Sequence, residues 1–141
     1  MTRTRVGSQG SFSGQVIEKI TSTETLSRGD SGKVFLLDSA GGAYTITLPN
    51  VAKSAGCNFK FVNNEDTPTG DITIAAEGTL VYGTLQQASI TNEDSLLDCI
   101  DKTNVLFDTT SLLGDWVEYL CDGTYWYVNG VTQLQGGFTV S

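Results

Sequence analysis

The chain has 141 residues, a formal net charge of −8 and no histidine. That length suits one domain with a full core. The missing imidazole excludes the usual general base, the Ser-His-Asp and Cys-His arrangements and the commonest metal ligand, and the acidic balance argues against a nucleic-acid partner.

No apolar run reaches 18 residues and no signal-peptide core follows Met1. We therefore expect a soluble protein, folding in the cytoplasm where it is made, with no membrane partner. Cys57, Cys99 and Cys121 are odd in number, widely spaced and outside any C-x-x-C pattern. They read as small buried apolar residues, and neither a metal nor another cofactor is expected. Charge is uneven along the chain. Residues 1–62 carry seven basic groups against four acids, and residues 63–141 carry Lys102 against twelve acids. The fold either mixes these into one acidic surface or leaves one face docked and one acidic face in solvent.

Residues 1–14, MTRTRVGSQGSFSG, are too rich in Gly, Ser and Thr to fold alone. They read as a flexible N-terminal arm, with 15–141 as a single β-sandwich domain. The arm is either a disordered terminus or a segment that orders against a neighbour. In the second case Arg3 and Arg5 meet carboxylates and Phe12 fills a small pocket.

From Gln15 the chain is a series of short alternating segments between turn signals. QVIEKI (15–20), KVFLLD (33–38), AYTITL (43–48), CNFKFVN (57–63) and DITIAA (71–76) read as strands, and further strands fit 79–82, 85–90 and 104–108. The Asp38–Gly42 loop predicts a hairpin between 33–38 and 43–48. Gly29-Asp30-Ser31-Gly32-Lys33 precedes a strand and lacks phosphate-loop spacing, so it reads as a turn. One segment departs from the pattern. ITNEDSLLDCIDK (90–102) has Thr91 or Asn92 as an N-cap and Leu96, Leu97 and Ile100 at helical spacing, which predicts at most one short helix around 92–101. Its acids Glu93, Asp94, Asp98 and Asp101 lack calcium-loop spacing and read as a solvated face.

GDWVEYLCDGTYWYVNG (114–130) holds both tryptophans and three of the five tyrosines. Asp122-Gly123 predicts a two-residue turn between strands at Asp115–Cys121 and Thr124–Asn129. Val117, Tyr119 and Cys121 then share one face of the first strand, and Trp116, Glu118 and Leu120 the other. On the second, Trp126 and Val128 oppose Tyr125 and Tyr127. Neither face is polar throughout. Such a hairpin is either covered on both sides, by its own core and by a second subunit, or is a stacking platform for a ligand. Trp116, Tyr119, Tyr125, Trp126 and Tyr127 are the candidate subunit-contact or core residues.

Five phrases, in order, carry a resemblance. They are SGKVFLLDSAGGAYTITLP (31–49), AGCNFKFV (55–62), GDITIAA (70–76), the 114–130 hairpin and the closing GG (136–137). Together, over residues 26–137, they resemble small head decoration proteins, also called cement or capsid-stabilising proteins, of tailed bacteriophages. The resemblance implies a jelly-roll type antiparallel β-sandwich, no enzymatic activity, and attachment to the outer capsid surface of the virion. The implied partners are the major capsid protein and the chain itself, as a dimer or trimer. On that reading Arg3, Arg5 and Phe12 belong to a capsid-contact arm. The same strand vocabulary occurs in phage fibre modules, which leaves a second reading: a fibre or spike domain binding host-surface glycans through Trp116, Tyr125 or Trp126. Paired-carboxylate catalysis has only composition in its favour.

Overall fold

A computed structural model of the chain describes residues 3–6, 15–88 and 95–141. Thirteen strands occur among them: β1 (Arg3–Val6), β2 (Ile17–Ile20), β3 (Glu24–Thr25), β4 (Val34–Leu37), β5 (Tyr44–Thr47), β6 (Asn58–Asn63), β7 (Ile72–Ala75), β8 (Val81–Gln87), β9 (Leu96–Lys102), β10 (Asn104–Phe107), β11 (Trp116–Cys121), β12 (Trp126–Thr132) and β13 (Phe138–Val140). Single 3₁₀ turns lie at Arg28–Asp30 and Val51–Lys53. The strands form two sheets, one ordered β1-β2-β4-β6-β11-β12-β8-β9 and the other β13-β10-β7-β5-β3.

The all-β sandwich is the class that the strand spacing predicts, but its connectivity differs from an antiparallel jelly roll. Between β2 and β7 the chain changes sheet at every connection. β2, β4 and β6 therefore lie parallel in the large sheet, and β3, β5 and β7 parallel in the small one. This half is a flattened coil. Antiparallel strands close it: β11 on β6, and β10 on β7. β8 then runs parallel to β12.

The expected 33–48 hairpin is one casualty of this winding, because β4 and β5 lie in different sheets. The corner between them is pinned from outside. Ser39 donates its N–H and its hydroxyl to the Glu65 carboxylate (2.6 and 2.7 Å), and its Oγ accepts the N–H of Thr69 and of Gly70. A buried serine tied to the 64–70 loop holds the chain in a crossover instead of letting it double back.

The expected helix is also absent among the described residues, and Leu96–Lys102 is strand β9. Its ladder with β8 satisfies backbone groups that would otherwise be unpaired along a seven-residue edge. Leu97 and Cys99 face inward, leaving Leu96 and Ile100 outward, so apolar residues on both faces imitated a helical spacing. Thr91 and Asn92 lie outside the described residues.

The core fills the space between the sheets. Phe35 and Phe61 stack with centroids 5.6 Å apart, and Tyr119 meets Phe61 edge-on. Trp126 packs on Phe59 and Tyr119 at 5.7 and 6.2 Å. Ile46, Ile72, Ile74, Val105 and Phe107 face them from the small sheet. Each such side chain contributes roughly 1.5–3 kcal/mol of transfer free energy.

Candidate functional site

The two sheets present unlike outer faces. Across the small sheet the outward residues are Thr25, Thr45, Thr47, Thr73, Ala75, Leu106 and Thr139, a mostly hydroxyl-bearing surface. The large sheet is different. Nine large apolar side chains are exposed among the described residues; Val6, Leu96, Ile100, Leu120 and Tyr127 lie on strands of this sheet, and Tyr125 lies in the turn that leads into β12. Ile100 is 62% exposed and Leu120 52%. Leu120, Tyr125 and Tyr127 gather at the β11–β12 turn, with Val6 on one edge strand and Leu96 and Ile100 on the other; an exposed apolar cluster is the mark of a contact surface.

The β11–β12 hairpin divides its aromatics between the two environments. Tyr119 and Trp126 are fully buried in the core, whereas Tyr125 and Tyr127 are exposed and Trp116 is half-buried. The Asp122 carboxylate shapes the turn by accepting the N–H groups of Thr124 and Tyr125, both at 2.7 Å. Its other oxygen accepts the Tyr127 hydroxyl at 2.8 Å. Tyr82, opposite Tyr127 in the parallel ladder, completes a trio. Its ring lies 4.8 Å from Tyr125, and Tyr125 lies 6.5 Å from Tyr127. Tyr82 donates its hydroxyl to Asp101. Hydrogen bonding to that carboxylate pushes the Tyr82 phenol up to about 12. Asp122 likewise raises the Tyr127 phenol, and the hydrogen bonds it accepts lower its own pKa.

Beside the tyrosines runs an open groove of about 500 Å³, lined among others by Asn58, Lys60, Glu118, Leu120, Tyr127 and Asn129. Lys60 and Glu118 stand opposite each other on neighbouring strands, and the Lys60 ammonium sits 4.6 Å from the centroid of Trp116. Cation–π contact of this kind covers part of the indole while leaving the groove polar at its centre.

The stretch expected to be an arm is placed differently in part. Arg3–Val6 is an edge strand of the large sheet, antiparallel to β2. Arg3 turns to the chain's own acids, pairing with Glu18 at 3.1 Å, with Asp30 at 2.5 Å and with Glu24. Lys33 joins the same group through Glu18 and Asp30. Arg3 therefore does meet carboxylates, but those of β2, β3 and the first 3₁₀ turn, and its guanidinium is committed inside the fold. Arg5 shares the strand, on its exposed side chain positions, and Phe12 lies outside the described residues. Of the acidic cluster, Asp98 and Asp101 are exposed on β9, whereas Glu93 and Asp94 lie outside the described residues.

Two features of this surface were invisible to sequence reasoning. Tyr82 reaches the hairpin only because β8 adds parallel to β12, and Ile100 reaches the surface only because its segment is a strand. No family model, curated protein or solved structure matches the chain, so the geometry of this face and the resemblance noted above are the grounds for reading its function.

Proposed function

We propose that the chain is a non-enzymatic structural protein of a phage particle: a decoration, or cement, protein that binds the outer surface of the head as a homo-oligomer, a dimer or trimer, and reinforces the joints between capsomers. The observation that carries this reading is the contrast between the outer faces, one rich in threonine and one rich in exposed Leu, Ile and Tyr. A brick on a particle surface needs that polarity. One side adheres to protein, and the other stays wetted.

In this reading Leu120, Tyr125 and Tyr127 supply the contact between copies, and the major capsid protein is the second partner. A joint under outward pressure opens only by also breaking the contacts of the protein that straddles it. Several weak feet on one oligomer act together through high effective concentration. The net charge of −8 keeps finished particles apart. Because Arg3 is engaged with the chain's own acids, the sheet face takes the adhesive role that the sequence suggested for the arm.

The test is cosedimentation with undecorated heads, with light scattering for oligomer size. The wild-type chain is expected to pellet with heads and to scatter as an oligomer. The double variant Leu120→Glu/Tyr127→Glu is expected to do neither while melting at an unchanged temperature. A wild-type chain that stays in the supernatant, or a variant that decorates as well, overturns the proposal.

The groove favours one alternative, a fibre or spike module for glycans. Asn58, Glu118 and Asn129 offer hydroxyl partners beside the Tyr127 ring. Trp126 is buried and takes no part. Oligosaccharide-dependent quenching of Trp116 fluorescence, without head binding, favours this reading.

A further inference from the structure

We propose that Cys57 and Cys121 are a latent disulfide site, which a small-molecule disulfide of the glutathione type closes. The two thiols are 64 positions apart in the chain, yet the fold sets them face to face. The β6–β11 ladder pairs Leu120 with Asn58, and the next step of the same register sets Cys121 against Cys57. The backbone there forms a bulge. Gly56, at φ +84°, donates its N–H to the Cys121 carbonyl at 2.8 Å, and Cys121 donates its N–H to the Cys57 carbonyl at 2.9 Å. That is the pattern of a glycine-led bulge, in which two residues, Gly56 and Cys57, oppose one.

Both side chains point into the sandwich. Cys57 alternates in step with Phe59 and Phe61, and Cys121 with Val117 and Tyr119, and all six are core residues. Cross-strand partners on one face have Cα atoms about 4.5–5.5 Å apart, inside the window of about 4.4–6.8 Å that a disulfide accepts. Both are free thiols in this structure. The Cys121 thiol donates to the Val51 carbonyl at 3.5 Å and its sulfur accepts the Gly123 N–H at 3.4 Å. Bond formation turns that sulfur away from Val51 toward Cys57. Burial raises the Cys121 pKa, so the thiol is slow to ionise and the bond is slow to form at neutral pH.

Access comes from the end of the sheet. Cys57 closes the Ser54–Cys57 turn, and Cys121 directly precedes the Asp122–Tyr125 turn, whose Gly123 lies against Ala55. Parting these two turns opens the pair without unfolding the sandwich. One cysteine thiolate attacks a sulfur of oxidised glutathione, forming a mixed disulfide and releasing one glutathione thiolate. The second cysteine thiolate attacks the protein sulfur of that intermediate, forming the Cys57–Cys121 bond and releasing the second glutathione thiolate. The two cysteines lose two electrons, which reduce one glutathione disulfide to two thiols. The two thiol protons pass through solvent to the released thiolates. Cys99 is the internal control. It is fully buried on β9, its ladder partner is Gly83, and burial pushes its thiol up to about 11.

The full chain is incubated with oxidised glutathione, both folded and during refolding from denaturant, and examined by intact mass and by non-reducing peptide mapping. The expected product has lost two hydrogens, joins the Cys57 and Cys121 peptides, leaves Cys99 alkylatable after denaturation, and reverts with dithiothreitol. Cys99→Ser is expected to form the same link, and Cys57→Ser and Cys121→Ser are expected to lose it. A link that forms only during refolding still supports the pairing and shows the native ends to be closed. Three alkylatable thiols after both treatments, or a link through Cys99, overturn it.

Discussion

Arg3 Nη1 lies 2.5 Å from Asp30 Oδ1 and so fastens the outermost strand of the large sheet to a 3₁₀ turn twenty-seven positions further on. β1 buries little of its surface, so its ladder with β2 and this ion pair hold it in place. Asp30 is itself buried, and its carboxylate also accepts the Ser27 N–H and the Lys33 ammonium, each at 2.9 Å. Burial alone would raise the Asp30 pKa. The hydrogen bonds from Ser27, Lys33 and Arg3 outweigh it and bring it down to about 2.

This gives a pH prediction with a defined sign. Asp30 titrates near 3.8 when unfolded and near 2 when folded, so its stabilising effect is complete above pH ~4 and is lost as pH falls toward 2. Asp30→Asn is expected to cost roughly 2 kcal/mol at pH 7 and to flatten this part of the acid limb. Denaturant midpoints taken from pH 2 to pH 6 for both proteins check it. Equal slopes between pH 2 and 4 would remove Asp30 from the account.

Tyr119 gives a prediction of opposite sign. Its hydroxyl and the Trp126 indole N–H are buried without hydrogen-bond partners among the described residues. Burial therefore drives the Tyr119 phenol well above its ordinary value. Tyr119→Phe removes a desolvated hydroxyl and keeps the ring contacts with Phe61 and Trp126. It is expected to leave stability unchanged or raise it by about 1 kcal/mol, read from the urea midpoint. A loss above that amount would reveal a partner for the hydroxyl.

Gly83 stands opposite Val128 in the parallel ladder of β8 and β12. A β-carbon there would overlap the Val128 carbonyl oxygen, and the residue sits at φ +148°. Gly83→Ala is expected to destabilise by at least ~2 kcal/mol through backbone displacement, seen as a lower melting temperature. It is also expected to loosen the Tyr82–Tyr125 contact. A variant that melts with the wild type would mean that the two strands part freely.

Tyr82 tests the surface electrostatics. With Asp101 accepting its hydroxyl, its phenol is held at about 12. Asp101→Asn is expected to return it toward the ordinary value of about 10, observed by NMR titration of ring-labelled tyrosine. An unmoved Tyr82 titration would show that another group sets its value.

Strands β2 and β4 to β7 and the shared face of Phe59 and Phe61 were legible from the alternation, because one face of each meets the core, whereas the two-residue β3 carried no such signal and the 114–130 hairpin, apolar on both faces, left its buried side open. Partners were not legible. Alternation says which side is wet, not which sheet a strand joins, so a five-residue loop read as a hairpin became a corner once Ser39 found Glu65. Leu96 and Ile100 misled for a related reason: exposed apolar residues on an edge strand obscure the alternation. The pairing of Cys57 with Cys121 depends on long-range register, which spacing along the chain does not encode. The turn at Asp122-Gly123 was readable because its chemistry is local, but the connection spans Asp122–Tyr125, four residues instead of two, because the Asp122 carboxylate also gathers the Thr124 and Tyr125 N–H groups.

The winding of the sheets has a consequence for biogenesis. Strands β2 to β7 find their neighbours one coil turn back, so a nascent chain can zip them up in the order in which it emerges. β8 is made before its parallel partner and must wait for β12, the last strand of the large sheet to be synthesised. Long-range parallel pairing closes slowly. The hairpin that completes the large sheet is therefore the keystone, and until it arrives β6 and β8 are two unsealed margins in search of the same hairpin.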